Sequence, residues 1–457
     1  MTANSFWESD LQKEFIVADF ECPYLEKHIT LISSFLENFS RKQLVFILCR
    51  NNIPTVIAYL KCLQFKHVPL LLDANLHPEL LTKLDETYRP NVVFDIDSEN
   101  ELNSRFEKLR DDPVLLNPDL ALLLSTSGTT GSPKLVKLSY ENINSNALAI
   151  AEYLELTPKE RPLLHLPLHY SFGLSILNSH LLTGSTILLT QHTVMQREFW
   201  TRMAEDGVTS LAGVPYTFEM LDRLRFDRKR LPTLKTLTQA GGKLSTTLVE
   251  KFGKICKERE MRFFVMYGQT EAAPRISYLP PNMVLSKQDS IGKPIPGGEW
   301  WVEDEIGVRL EPGKPGELVY QGANVMMGYA ESQADLALPD QMGGILRTGD
   351  LAVFDNDGMA RIIGRKKRML KVFGHRIGLD ELEQLLARQN IRAYCLGQED
   401  RLEIALDPET KEAIDARDVA SLLGLNHSAI QVFRPVRIPL NSSGKVDYLA
   451  LAQQLRS

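Results

Sequence analysis

The sequence predicts an α/β protein. A large N-terminal domain of mixed, largely parallel sheets with helices is followed by a small α+β domain at the C-terminal end. Three observations carry this prediction. Helical and strand-like apolar patterns alternate from about residue 50 to about residue 270. The chain becomes turn-rich after about residue 290. A basic run, Gly364-Arg365-Lys366-Lys367-Arg368, then precedes a new amphipathic helical pattern.

In chain order, Val56, Tyr59, Leu60 and Leu63 recur at helical spacing, and VPLLLD follows as a strand. A second helical pattern runs from Pro78 to Glu86, ahead of the strand-like NVVFDI. Further strand candidates are DLALLLS (119–125), STILLT (185–190), TSLAGVP (209–215), TLKTLTQA (233–240) and MRFFVMY (261–267). Helical stretches lie between most of them, which argues for parallel sheets joined by crossovers. Beyond about residue 290, GKPIPGG, EPGKPGE and DNDG punctuate short alternating strands. Asp355-Asn356-Asp357-Gly358 has a calcium-loop look, but Val353 stands where the first ligand belongs, so it reads as a hairpin turn. LDELEQLLARQ reads as an amphipathic helix with Asp380 near its start. The domain boundary falls at about 364–367, dividing residues 1–364 from residues 365–457.

Composition narrows the function. With 44% hydrophobic and 24% charged residues, the chain is an ordinary globular one. A net charge of -6 and a pI near 5.9 argue against nucleic acid as a partner. Glu8 and Asp10 stand where a secretory signal would be apolar, so the expected location is cytoplasmic. The most apolar region, Leu163 to Thr190, is interrupted by His165, His169, Asn178 and His180, too polar for a membrane span. Five cysteines, at 22, 49, 62, 256 and 395, are far apart and form no C-x-x-C, so they read as reduced and structural, with no metal site. There is no internal repeat.

Four short motifs carry chemistry. LSTSGTTGSPKLVKLS (124–139) follows a strand, and its glycines let backbone N–H groups converge on an anion. Its hydroxyls and Lys134 add donors and a positive charge. It departs from the G-x-x-x-x-G-K-[ST] phosphate loop, because Gly128 and Gly131 are three apart and Pro133 precedes the lysine. By itself it is a phosphate cradle or a plain turn. Tyr267-Gly268-Gln269-Thr270-Glu271 ends a strand, where α/β proteins bind ligands. It offers a stacking face, a hydroxyl and a hard oxygen suited to Mg²⁺. Thr348-Gly349-Asp350 places a carboxylate in a tight turn, and Asn441-Ser442-Ser443-Gly444-Lys445 places a lysine near the C-terminal end.

In this order and spacing the motifs resemble those of the adenylate-forming superfamily of acyl-CoA synthetases, peptide-synthetase adenylation domains and luciferases. STSGTTGSPK is similar to its phosphate loop. YGQTE, TGDLAVFDNDGMARIIGRKKRMLKVFGHRIGLDELE and PLNSSGKVD are similar to its later motifs. The resemblance runs from about residue 40 to 450. It implies a large domain that includes a small β-barrel-like part, and a mobile C-terminal domain.

The resemblance also implies roles. Such enzymes join a carboxylate to the α-phosphate of ATP, releasing pyrophosphate, and a thiol then usually captures the acyl-adenylate. Ser127, Gly128, Thr129, Thr130, Gly131 and Lys134 would hold the β- and γ-phosphates. Gly241 and Gly242, with Tyr267 and Gly268, would form the adenine slot. Thr270 would bond the α-phosphate and Glu271 would hold Mg²⁺. Asp350 would take the ribose hydroxyls, assisted by Arg365. Lys445 would bridge the substrate carboxylate and the α-phosphate, offsetting the repulsion between two anions. The hinge would be Lys367, a position that is aspartate in many members and lysine in luciferases. The loop around Lys371, Gly374 and His375 would line the thiol entry in the second pose.

Several positions depart from the family pattern. Leu135 stands where a glycine usually follows the loop lysine, and Tyr140 replaces a usual histidine. Tyr170 fills another histidine column, with His169 one place earlier. Asp447-Tyr448 stands where an arginine often ends the last motif. Amino-acid-activating members usually carry an aspartate after the phenylalanine of the fourth region, but here Gly173 follows Phe172. An α-ammonium would lack its counter-charge, so the expected substrate is an acyl or aryl acid without an α-amino group. Its pocket is expected among residues 170–178, 213–216 and 239–242, with His169, Tyr170, Gly173, Tyr216 and Gln239 as candidates. The thiol acceptor is coenzyme A or the phosphopantetheine of an acyl or peptidyl carrier protein. The chain's shortness and lack of a fused carrier favour a discrete, carrier-loading ligase. Amino-acid adenylation, a non-catalytic nucleotide-binding module and an unrelated kinase or ATPase are the alternatives.

Overall fold

The computed structural model describes residues 5–8, 16–17, 25–95, 105–125, 134–372, 375–398, 400–412, 414–423, 425–440 and 446–455. The chain groups into two compact units. One comprises Met1–Glu299 and Tyr320–Leu346; the other comprises Trp300–Val319 and Arg347–Ser457.

Two large sheets organise the first unit. In the seven-stranded sheet, Leu120–Ser125, Val68–Asp73, Leu44–Cys49 and Val92–Asp95 pair in parallel. These are the near-continuous apolar runs expected of strands covered on both faces. Antiparallel strands close both edges: Arg105–Lys108 on one side, Leu135–Ser139 and then Gly328–Ala330 on the other. The helix Ile53–Gln64 connects two of the parallel strands. Asn52 caps it by accepting from the Thr55 backbone N–H, and it buries Val56, Tyr59, Leu60 and Leu63. Leu135 pairs with Ser125 on one side and Ala330 on the other, and is fully buried in a cluster with Leu120, Leu123 and Met327. A leucine stands after the loop lysine because its side chain fills this core.

The eight-stranded sheet runs Ile16–Val17, Ile187–Leu189, Pro162–Leu164, Ser210–Gly213, Thr236–Gln239, Arg262–Gly268, Arg275–Leu279, Lys293–Pro294. The first six strands are parallel, and the last two pairings are antiparallel. Helix Ser171–Leu182, buried along almost its whole length, contacts this sheet. The turn Thr270–Ala272 therefore follows the carboxyl end of the parallel strand Arg262–Gly268, the usual place for a site in such sheets.

A four-stranded sheet, Glu299–Glu303, Gly316–Gln321, Ile345–Phe354 and Ala360–Arg365, carries the turn-rich region. The Asp355 turn is a hairpin: Asp355 Oδ1 accepts from the backbone N–H groups of Asp357 and Met359, and Gly358 takes the φ of +73° that glycine tolerates. Beyond it, Met369–Val372 pairs with His375–Gly378. A three-stranded sheet, Ala393–Gln398, Arg401–Leu406 and Ile430–Phe433, packs with helices Leu379–Arg388 and Ala416–Leu423 around Leu382, Leu386, Cys395, Ile404 and Val419. Tyr448 belongs to this unit's polar knot. The Arg368 guanidinium lies 4.2 Å from its ring, and the Tyr448 hydroxyl donates to Glu383 at 3.1 Å. Arg368 also pairs with Asp380 and, at 2.7 Å, with Glu383. Burial pushes the Glu383 carboxyl up, and Arg368 opposes it.

Candidate active site

Of the sequence-predicted groups, Ser127, Gly128, Thr129, Thr130, Gly131, Gly374 and Lys445 lie outside the described residues. Lys134 is the first described residue after the loop. Its Nζ sits 3.6 Å from the centre of the Tyr329 ring and 3.5 Å from Glu331 Oε1. Strand pairing puts Tyr329 there, since it lies opposite Val136 in the edge pair. The Tyr329 hydroxyl donates to Glu271 Oε1 at 2.9 Å. Burial, with the Glu271 carboxylate beside it, pushes the Tyr329 phenol far above its usual range, so it remains a donor.

Glu271 lies in the short 3₁₀ turn Thr270–Ala272, after strand Arg262–Gly268. Two contacts fix this turn. The Met326 backbone N–H donates to the Glu271 carbonyl at 2.9 Å. Gly268 runs so close to the returning strand that a Cβ there would meet the Pro274 carbonyl at 2.0 Å. Thr270 Oγ1 lies 3.1 Å from Ser171 Oγ, at the first turn of helix Ser171–Leu182. Glu271 is half-buried, and its Oε2 takes no hydrogen bond among the described residues. That hard oxygen fits Mg²⁺, which binds through one or two carboxylates, phosphate oxygens and water. No group of three or more metal-ligating side chains occurs among the described residues.

The expected adenine slot is a glycine turn braced by side chains. Gly241 has φ +83°, and a Cβ there would lie 2.4 Å from the Tyr170 hydroxyl and 3.0 Å from Val214. Gly242 faces Pro215, at 3.1 Å from where its Cβ would be. Buried Gln239 donates from Nε2 to the carbonyls of Ala240 at 3.2 Å and Gly242 at 2.9 Å. Its amide thus holds the turn. Gln269 Nε2 donates to the Tyr267 hydroxyl at 3.2 Å. Tyr216 is exposed.

Gly173 is a packing position. A Cβ there would meet the carbonyl oxygens of Pro167 at 2.4 Å and Leu166 at 2.9 Å. Both are backbone atoms, so an aspartate at this position has no room. His169 Nε2 lies 3.8 Å from Asp73 Oδ2; burial lowers its pKa while Asp73 opposes, leaving a neutral ring at pH 7. Tyr140 packs edge-on against Trp7 at 5.4 Å, and Lys66 Nζ sits 4.2 Å from its ring centre.

In the second unit, Asp350 pairs across the hairpin with Arg365, whose Nε is 3.0 Å from Asp350 Oδ1. Asp350 is buried, and its backbone N–H donates to Thr348 Oγ1 at 3.1 Å. Lys367 lies within the 3₁₀ turn Lys366–Arg368, and Lys371 is paired in register with Arg376. Sequence reasoning missed Tyr329 and Ser171. Neither carries a local signal, because each acquires its role through strand or helix packing onto a distant segment.

The AMP-binding enzyme family matches residues 23–330. The chain belongs to that family. As an AMP-binding family member, it is 33% identical over 270 residues to a 2-succinylbenzoate–CoA ligase of Bacillus licheniformis, covering 59% of this chain and 54% of that protein. It is 32% identical over 287 residues to a long-chain-fatty-acid–CoA ligase of Yersinia pestis, covering 60% and 49%. The chain thus spans about half the length of these relatives. In fold it is similar to the O-succinylbenzoate coenzyme A synthetase of Bacillus subtilis in complex with AMP, with TM-score 0.78, 22% identity and coverage of 99% and 98%. Klebsiella oxytoca NpsA, in complex with 3-hydroxyanthranilyl-AMSN, has TM-score 0.76, 20% identity and coverage of 97% and 96%. Like these structures, this family member is a mixed α/β protein with a large N-terminal portion. None of its described helices is long and apolar enough to cross a membrane.

Proposed function

We propose that this chain is an AMP-forming acid–thiol ligase. In the first half-reaction a carboxylate oxygen attacks the α-phosphorus of ATP, and pyrophosphate leaves. In the second a thiolate attacks the acyl carbon, and AMP leaves. The observation that carries the reading is the Lys134–Tyr329–Glu271 contact. It holds a cation for the phosphates and a hard carboxylate for Mg²⁺ on one side chain, although the two come from different sheets. Bound Mg²⁺ would supply charge neutralisation on the phosphates.

No general base is required, because the substrate carboxylate is already ionised at pH 7. The work left to the protein is positioning and electrostatics. Lys134 and the loop 126–133 would retain the leaving pyrophosphate. Thr270 would donate to the α-phosphate, its hydroxyl oriented by Ser171. Asp350 would hold the ribose hydroxyls with Arg365, and Lys445 would sit between the two reacting anions. We further propose that residues 365–457 turn about Lys367 between the half-reactions.

Two observations narrow the substrates. The packed carbonyls around Gly173 leave no place for the aspartate that would pair an α-ammonium, which favours an acid over an amino acid. The relatives named above are coenzyme A ligases, which favours coenzyme A over the carrier protein suggested by chain length. ATP–pyrophosphate exchange with a panel of carboxylic acids and amino acids, followed by thioester formation with coenzyme A, tests the reading. Exchange with amino acids alone would contradict the choice of acid.

A further inference from the structure

Thr270 and Glu271 sit in the turn Thr270–Ala272, which closes on itself through two backbone bonds, Ala272 N–H to the Gln269 carbonyl at 2.9 Å and Ala273 N–H to the Thr270 carbonyl at 3.2 Å. Ala273 ends the turn at φ +58°, a conformation that a residue other than glycine keeps where its surroundings impose it. Two buried amides from distant segments supply that constraint. Asn146 Nδ2 donates to the carbonyls of Arg275 at 3.1 Å and Ala272 at 3.4 Å. Asn324 Nδ2 donates to the same two carbonyls, at 2.8 Å and 2.6 Å. Asn146 is 1% exposed and Asn324 3%.

The network closes on the same turn from both sides. Asn146 lies on helix Tyr140–Tyr153, one turn after Asn142, whose Nδ2 donates to the Ala323 carbonyl at 2.8 Å. That bond fixes the residue before Asn324. Two residues after Asn324, the Met326 backbone N–H holds the Glu271 carbonyl. The Tyr320 hydroxyl donates to Asn324 Oδ1 at 2.8 Å, which leaves the amide nitrogen facing the two carbonyls. Burial pushes the Tyr320 phenol far above its usual range, so it stays a donor. A Cβ at Gly322 would lie 2.6 Å from both the Tyr320 hydroxyl and Asn324 Oδ1, so glycine keeps that bond clear.

A buried amide is costly unless it is paired. Here the donations of both amides go to the backbone that flanks Thr270 and Glu271. We propose that Asn146 and Asn324, with Tyr320 behind Asn324, are positioning residues: they set the place of the Glu271 carboxylate for Mg²⁺ and of the Thr270 hydroxyl for the α-phosphate. Each acts through the backbone of the turn rather than by contact with ATP. The proposal rests on the ligase reading above.

Calorimetry on the full chain with ATP, in Mg²⁺ and in EDTA, tests it. Asn146→Ala and Asn324→Ala are each expected to weaken binding roughly tenfold or more in Mg²⁺ and less than about twofold in EDTA, since a small displacement of a binding group is costly. Tyr320→Phe keeps the ring and both amides. It is expected to act in the same direction by about threefold, and it decides the matter where an alanine variant does not fold. In a Glu271→Gln background, Asn324→Ala is expected to add less than about twofold, because both changes remove the same Mg²⁺ contact. Equal loss in Mg²⁺ and EDTA would mark purely structural amides and overturn the proposal. Wild-type affinity in the variants, or losses that multiply with Glu271→Gln, would overturn it too. Pyrophosphate exchange is read separately. Mg²⁺-specific loss in the variants, with no exchange by wild type on any acid or amino acid, would overturn the ligase reading and uphold the clamp on Glu271. No ATP binding by wild type would overturn both.

Discussion

The Tyr329 hydroxyl and the Glu271 carboxylate are joined by a 2.9 Å hydrogen bond, and the same tyrosine ring faces Lys134 Nζ at 3.6 Å. The two contacts are separable. Tyr329→Phe removes the hydroxyl and keeps the ring. It is expected to weaken Mg²⁺-dependent ATP binding roughly tenfold, the scale of a hydrogen bond to a charged group, while ATP binding in EDTA stays unchanged. Tyr329→Leu should weaken both. Calorimetry with and without Mg²⁺ reads the difference, and equal loss in both conditions for the phenylalanine variant would refute the assignment.

Asp350 is buried, and the Nε of the exposed Arg365 lies 3.0 Å from its Oδ1. Asp350→Asn should raise the KM for ATP about 10- to 100-fold through loss of charge-assisted bonds to the ribose, with a smaller change in kcat. An unchanged KM in steady-state kinetics would remove Asp350 from the nucleotide site.

Gly241 is constrained twice, by its φ of +83° and by the Tyr170 hydroxyl. Gly241→Ala should cost about 1–2 kcal/mol for the left-handed backbone alone, plus the clash. Adding Tyr170→Phe takes away the oxygen that the new Cβ meets. Thermal unfolding of the double variant should recover the clash and leave the backbone cost. No recovery would mean that Tyr170 does not brace this turn.

His180 makes stability depend on pH. Its folded pKa, about 4, lies below the ordinary 6.5. Between these values the unfolded chain binds a proton that the folded chain refuses, so stability is lost as pH falls from about 6.5 towards 4. The displacement corresponds to roughly 3 kcal/mol. Urea unfolding of wild type should show this loss relative to His180→Gln. Parallel pH profiles for the two proteins would contradict it.

The fold was legible because its strands are long apolar runs separated by helical patterns. VPLLLD and DLALLLS became strands at the expected places because both are buried on two faces. Side-chain roles were less legible. That the Gln239 amide holds the carbonyls of its own turn could not be read from the sequence, because it depends on the path of that turn. Leu135 departed from a family pattern for a reason of packing alone. Tyr329 gave no signal, since it depends on which strand edge it meets, and pairing is not written in local periodicity.

The central claim is that the ATP α–β bond is the one broken. It is tested most directly by incubating the protein with Mg²⁺, ATP and an acid panel and separating the phosphorus products. The account predicts AMP and pyrophosphate in equal amounts with an active acid, slowed by Lys445→Ala. Orthophosphate and ADP as the main products, or full adenylation by Lys445→Ala, would contradict it.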